Sequence, residues 1–64
     1  MPEVHVFMAE GRTNEQKKNM MGDITKALVE NLGVAPEVVT VQIVEAKLTD
    51  KMKGGQTFVE RMKK

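Results

Sequence analysis

The chain has 64 residues, no cysteine, one histidine and a formal net charge of +1. Disulfides are therefore excluded, a single histidine gives no zinc-binding spacing, and the small net charge does not indicate nucleic-acid binding. We expect one domain over residues 1–64. A chain of this size buries only about 60% of its unfolded surface, so the core needs support from other copies of the chain.

The charge is unevenly distributed along the chain. Residues 1–46 contain four Lys/Arg and seven Asp/Glu, whereas residues 47–64 contain six and two. The basic C-terminal segment is typical of a solvated surface, or of cations that reach an anionic ligand. No apolar run is long enough to span a bilayer, and no signal-peptide pattern is present. We expect a cytoplasmic protein with no membrane or nucleic-acid partner.

The first predicted strand covers residues 3–8, where apolar and other side chains alternate. One face carries Val4, Val6 and Met8, and the other carries Glu3, His5 and Phe7. His5 has no Cys, Asp or second His at ligand spacing, which favours a structural or solvent-facing role. Pro2 precedes the strand, a position where the missing N–H of proline is tolerated.

A long helix is predicted next. In "TNEQ", Thr13 and Gln16 form a capping box, in which each side chain bonds to the backbone N–H of the other residue. Apolar residues then recur every three or four positions and predict the face packed on the core. They are Met20, Met21, Ile24, Ala27, Leu28 and Leu32. Gly33 can adopt the left-handed conformation that ends the helix.

The second strand is predicted within "APEVVTVQIVEA", which begins with a turn at residues 35–37 and continues as a β-branched run through Val44. Strand, helix and strand form a β-α-β unit, so the strands are parallel. Two strands and one helix are not independently stable. The sequence therefore predicts an α+β fold that oligomerisation completes.

The C-terminal segment is predicted to form a small hairpin. "KLTDKMKGG" is a polar loop that closes into a turn at Gly54–Gly55. "QTFVERM" alternates in polarity and predicts a short final strand or hairpin arm.

Few residues can supply chemistry, because the sequence lacks a cysteine nucleophile, a phosphate loop and zinc-binding motifs. Pro2 is one candidate. If Met1 is removed, the Pro2 nitrogen becomes a secondary amine, whereas with Met1 attached it is an amide with no basic lone pair. Arg12 is the other. It precedes the helix cap, beside free N–H groups and the positive end of the helix dipole, where it can bind a carboxylate.

Pro2 and Arg12 need not be neighbours within one chain, but they can meet across copies in an oligomer. Burial and a nearby guanidinium both disfavour a protonated amine, so they would lower the pKa of the Pro2 amine toward neutrality. A neutral amine beside a carboxylate-binding cation can move a proton on a carbon next to a carbonyl.

These residues resemble a known family. "MP" before a strand, "EGRTNEQK" leading into the helix, the β-branched second strand and the late "GG" turn are similar to the 4-oxalocrotonate tautomerase family of the tautomerase superfamily. The resemblance implies a β-α-β subunit in a homohexamer, a trimer of dimers. It also implies a cofactor-free, metal-free isomerase of a small unsaturated 2-hydroxy or 2-oxo acid, in which Pro2 is the catalytic base and Arg12 binds the distal carboxylate.

The sequence departs from the family pattern at two places. A second arginine of the family, on the second strand, corresponds here to Gln42, which can donate a hydrogen bond but carries no charge. The family's phenylalanine before "GG" has no counterpart, because this loop reads "DKMK". Lys51, Lys53 or Arg61 of a neighbouring subunit could supply the missing charge.

Two alternative functions are also compatible with the sequence. The first is a hydratase or cofactor-free dehalogenase, which the resemblance also allows, with Glu10 or Glu45 as the added acidic residue. The second is a non-catalytic oligomeric binding protein that keeps Met1 and uses its basic tail to bind an acidic partner.

Overall fold

A computed structural model of the chain describes residues 1–62 and contains the predicted β-α-β unit. Strand β1 covers Glu3–Ala9, helix α1 covers Asn14–Leu32, and strand β2 covers Thr40–Ala46. Short 3-10 turns at Pro36–Val38 and Leu48–Asp50 flank β2. They are followed by the two-residue strands β3 (Met52–Lys53) and β4 (Gln56–Thr57) and by helix α2 (Phe58–Met62). The predicted fold class is confirmed.

The main sheet contains two parallel strands in continuous register. Glu3 of β1 lies opposite Thr40 of β2, and Ala9 lies opposite Ala46. Both strands therefore begin at one edge of the sheet and end at the other. The alternation predicted for β1 is confirmed, since Val4, Val6 and Met8 are half-buried and the residues between them are exposed.

Local hydrogen bonds set both ends of α1. The Thr13 hydroxyl accepts from the Gln16 N–H at 3.1 Å, and the Gln16 side-chain oxygen accepts from the Thr13 N–H at 3.0 Å. The helix ends at Gly33, whose φ of 68° is left-handed and whose N–H donates to the Val29 carbonyl. The capping box and the glycine stop are both confirmed.

Helix α1 covers one face of the sheet and contacts mainly β2. Four residues of the predicted apolar stripe, namely Met20, Met21, Ile24 and Leu28, are half-buried. The other two, Ala27 and Leu32, are exposed, because a sheet of only two strands leaves part of the stripe uncovered. The expectation that the whole stripe packs on a core is therefore wrong for the isolated chain.

No side chain within residues 1–62 is fully buried. The face of the sheet opposite α1 carries Phe7, which is 69% exposed, and Val44, which is 36% exposed and pairs with Phe7 in register. We call this face the outer face. An exposed aromatic side chain on an uncovered sheet marks a surface suited to a partner.

The C-terminal unit is a hairpin followed by a short helix. Gly54 and Gly55 have positive φ angles of 65° and 83° and connect the antiparallel strands β3 and β4. The predicted hairpin arm is confirmed for Gln56 and Thr57, but "FVERM" is helical. Thr57 and Glu60 form a second capping box, with the Thr57 N–H donating to the Glu60 carboxylate at 2.7 Å and the Glu60 N–H donating to the Thr57 hydroxyl at 3.2 Å.

Candidate active site

Pro2 lies at the edge of the sheet where both strands begin. Its carbonyl accepts the Thr40 N–H at 3.1 Å, which fixes Pro2 beside the start of β2. The Pro2 ring is half-buried, whereas Met1 in front of it is 97% exposed. The proline is thus held by the sheet, and the methionine packs against nothing in the described chain.

Arg12 lies at the opposite edge of the sheet, between the end of β1 and the start of α1. Gly11, with a φ of 126°, turns the chain there, and Thr13 then caps the helix. The Arg12 side chain is exposed and makes no salt bridge within residues 1–62, either with Glu10 or with Glu15. In the described part of the chain it is thus a cation without an ion-pair partner, beside the positive end of a 19-residue helix.

Pro2 and Arg12 do not meet within one chain. The seven residues of β1 separate them, and at about 3.3 Å per residue a strand of this length spans roughly 23 Å. A small acid cannot bridge that distance. A site that uses both residues therefore requires two chains, as expected from the sequence.

Gln42 lies in β2 opposite His5, close to the edge where Pro2 is held. It is exposed on the outer face, like His5. His5 contacts the Glu3 carboxylate at 2.6 Å, consistent with its predicted solvent-facing role. Gln42 is thus on the Pro2 side of the sheet, remote from Arg12 of the same chain.

Of the three predicted C-terminal cations, Lys51 and Arg61 make side-chain contacts near the hairpin and α2, and Lys53 contributes its backbone carbonyl. The Lys51 ammonium lies 5.8 Å from the centre of the Phe58 ring, a cation–π distance. Arg61 donates to the Lys53 carbonyl at 3.4 Å. Phe58 follows the capping residue Thr57, so the cations belong to one local unit. Within a chain that unit lies beside the Arg12 edge rather than beside Pro2, because Phe58 and Met62 border a cavity with Arg12.

Two cavities border Arg12. The first, of about 250 Å³, lies between β1 and the first turns of α1, and we call it the Arg12 groove. It is lined by Met8, Arg12, Gln16, Lys17 and Met20. The second, of about 440 Å³, lies on the other side of Arg12. Its lining is Ala9, Glu10, Gly11, Arg12, Leu48, Phe58 and Met62. Arg12 is therefore placed to receive an anion from either side.

The two acidic residues considered for a hydratase are already engaged. The Glu10 carboxylate accepts the Leu48 N–H at 3.2 Å, and Glu45 forms a 3.0 Å ion pair with Lys17. Both carboxylates therefore already have a partner within the chain. This arrangement gives the hydratase alternative no support.

The described residues give no indication of a metal centre or a membrane span. Residues 1–62 contain no group of three His, Cys, Asp or Glu side chains arranged to hold a metal ion. None of the helices in that range combines the length and apolar character that a membrane crossing requires.

The fold and site place the chain among small β-α-β proteins with a proline at the head of the first strand and an arginine at the head of the helix. Residues 2–61 match the family model described as "Tautomerase enzyme". The chain is 67% identical over 61 residues to a probable tautomerase of Bradyrhizobium diazoefficiens, with 95% of this chain and 91% of that protein covered.

Two further relatives extend this result. The 2-hydroxymuconate tautomerase of Bacillus subtilis is 45% identical over 47 residues, covering 73% of this chain and 76% of that protein. The heterohexamer 4-oxalocrotonate tautomerase of Chloroflexus aurantiacus superposes with a TM-score of 0.85 at 28% identity, covering 94% of this chain and 97% of that one. The chain belongs to the tautomerase family, and its resemblance to the 4-oxalocrotonate tautomerases is confirmed.

Proposed function

We propose that the chain is a cofactor-independent isomerase, a tautomerase that moves a proton within a small unsaturated 2-hydroxy or 2-oxo acid of the 2-hydroxymuconate type. The observation that carries the proposal is Arg12, an exposed cation with no ion-pair partner in residues 1–62, beside the first turn of α1. Such a cation is suited to a substrate carboxylate. The name of the Bacillus subtilis relative supports the substrate class.

Pro2 is the proposed base and acid. After removal of Met1, its secondary amine takes the proton of the 2-hydroxyl group, and the electron pair moves through the conjugated system to a distant carbon. The same nitrogen then returns the proton to that carbon, so the reaction needs no other reagent. The bond from the Thr40 N–H to the Pro2 carbonyl supports this role, because it leaves the ring nitrogen free while fixing the residue.

Arg12 and Gln42 are the proposed binding residues. The Arg12 guanidinium holds the carboxylate remote from the reacting oxygen, and the Gln42 amide donates to the 2-oxo oxygen as it forms. Gln42 is exposed at the Pro2 edge of the sheet. Lys51, Lys53 and Arg61 of a neighbouring chain are proposed to add positive charge. Within their own chain, the side chains of Lys51 and Arg61 each make a contact in the hairpin unit.

The active site is proposed to form between chains of a homohexamer. The separation of Pro2 from Arg12 along β1 supports a site shared by two copies. The exposed pair Phe7 and Val44 supports a contact on the outer face. The hexameric assembly of the Chloroflexus aurantiacus relative favours six chains.

The activity is tested by following 2-hydroxymuconate ketonisation by absorbance, with intact mass first used to select chains that lack Met1. In processed Pro2→Ala a primary α-amine replaces the secondary ring amine of the proposed base, so its kcat is expected to fall at least about 10-fold. The matched control is Pro36→Ala, an exposed proline in a 3-10 turn. Full activity in processed Pro2→Ala, or none in the processed wild type, would contradict the proposal.

Self-association is tested by sedimentation velocity. Phe7→Asp places a carboxylate on the outer face and is expected to shift the hexamer to smaller species, because burying an unpaired charge is costly. Lys26→Asp makes a larger charge change at an exposed helix position and serves as control. A monomeric wild type, or an intact hexamer in Phe7→Asp, would contradict the proposed contact.

A further inference from the structure

The Arg12 groove offers hydrogen-bond donors between apolar walls. Met8 and Met20 supply apolar lining, and the exposed Arg12 supplies a guanidinium group. The oxygen of the Gln16 side chain is occupied by the Thr13 N–H, which leaves its amide N–H groups as donors. A groove of this kind fits an anion attached to an apolar chain.

A second cation lines the same groove, but it is neutralised. The Lys17 ammonium lies 3.0 Å from the Glu45 carboxylate, and the two side chains are only 20% and 31% exposed. The pair joins the first turns of α1 to the end of β2. Arg12 has no such partner within residues 1–62, so the groove presents one uncompensated positive charge rather than two.

We propose that Lys17 and Glu45 are specificity-determining residues that set the charge of the ligand taken by the Arg12 groove. Because Glu45 cancels Lys17, the groove favours one singly charged carboxylate on an apolar chain over a doubly charged group of the same length. This inference rests on the proposed function, in which Arg12 binds the substrate carboxylate. It further specifies that this end of the substrate carries a single charge on an apolar chain.

The two partners have opposite expected effects on binding. Glu45→Gln leaves Lys17 unpaired and adds a positive charge to the groove, which strengthens the binding of a dianion more than that of a monoanion. Lys17→Met leaves Glu45 unpaired and adds a negative charge to the groove, which weakens the binding of a dianion more than that of a monoanion. The double variant restores the net charge and is expected to resemble the wild type. A purely structural ion pair would give both single variants the same sign, because each would only loosen the fold.

The experiment measures dissociation constants for hexanoate and for hexylphosphonate by NMR titration, at a pH where the phosphonate carries two charges. The ratio of the hexanoate constant to the phosphonate constant is expected to rise roughly three- to tenfold in Glu45→Gln, for a unit charge several ångströms away in a wet site. It is expected to fall by a similar factor in Lys17→Met. Each ratio compares two ligands on one sample, so partial unfolding cancels.

Lys18→Met and Glu15→Gln are the matched controls, because they make the same charge changes at exposed positions of α1 outside the groove lining. Their ratios are expected to stay within about twofold of the wild type, since exposed charges are screened. Equal ratios in all variants, shifts of the same sign in both single variants, or no binding of either probe would overturn the proposal. An inactive chain with the predicted ratios would overturn only the proposed reaction.

Discussion

Pro2 and Arg12 lie at opposite ends of one strand, with all seven residues of β1 between them. The parallel register places Pro2 with the start of both strands and Arg12 with their ends. In their proposed roles of base and carboxylate-binding residue, Pro2 and Arg12 of one chain are too far apart to contact the same small substrate. Each chain would therefore contribute one half to each of two different sites.

Mixing two impaired variants is expected to raise activity above that of either one. Pro2→Ala lacks the proline amine and Arg12→Ala lacks the proposed carboxylate-binding residue, but a site made from two chains can take the intact residue of each. When the two variants are mixed one to one, unfolded and refolded together, about a quarter of the sites receive both intact residues. The measurement is 2-hydroxymuconate turnover of the mixture against each variant alone.

Two outcomes of the mixing experiment are decisive. Restoration to about a quarter of the wild-type kcat supports a site shared between chains. A mixture no more active than its components would show that Pro2 and Arg12 do not act in one shared site. Refolding each variant with itself is the control, because it reproduces the handling without complementation.

Replacing two glycines of the helical region by alanine is expected to change stability in opposite directions. Gly33 has a left-handed φ of 68°, so Gly33→Ala should lower the free energy of unfolding by about 1 kcal/mol. Gly22 lies inside α1 with open space around it, so Gly22→Ala should raise it by about 0.5–1 kcal/mol. Urea unfolding at one fixed chain concentration measures both. A stabilised Gly33→Ala would contradict the capping role.

The capping box of α2 is expected to weaken in acid. The pKa of Glu60 is lowered from its ordinary value of 4.5 by two interactions with Thr57. The larger is the hydrogen bond from the Thr57 N–H to the Glu60 carboxylate, and the smaller is the interaction with the Thr57 hydroxyl. A carboxyl group with a lowered pKa contributes its stabilisation above its ordinary pKa and loses it as the pH falls through the folded value. Hydrogen exchange at the Thr57 amide, followed from pH 7 to pH 3, should therefore accelerate beyond its intrinsic pH dependence below about pH 4.5.

A neutral side chain removes this acid sensitivity. In Glu60→Gln the excess acceleration at Thr57 should disappear, because glutamine does not titrate. Glu15→Gln, at an exposed position in the first turn of α1, should retain it. An unchanged profile in Glu60→Gln would show that Glu60 does not control the α2 cap.

The parts of the fold set by local chemistry could be predicted from the sequence. The box between Thr13 and Gln16 begins the long helix, and Gly33 ends it, because each depends on residues within one turn. The alternation of β1 likewise predicts which side chains face α1. The second helix is different. Its signal, threonine three residues before glutamate, was present as Thr57 and Glu60, but the same segment also fits the alternation of a strand.

The candidate site depends on contacts between residues that lie far apart in the sequence. The sequence indicated Arg12 as an anion-binding residue from its position before the cap, and among residues 1–62 it has no ion-pair partner. The pairing of Lys17 with Glu45 was not predicted, because it joins residues 28 apart through the packing of α1 on β2. The proposed convergence of Pro2, Arg12 and Gln42 could not be derived from the sequence for a related reason, because it would require residues of more than one chain.

Because no side chain in residues 1–62 is fully buried, the stability of the fold should depend on chain concentration. A partner that covers the outer face binds the folded chain and not the unfolded one, so its concentration enters the folding equilibrium. The midpoint of thermal unfolding should then rise with chain concentration. Diluting the protein should lower its stability and its turnover together, without any change in sequence.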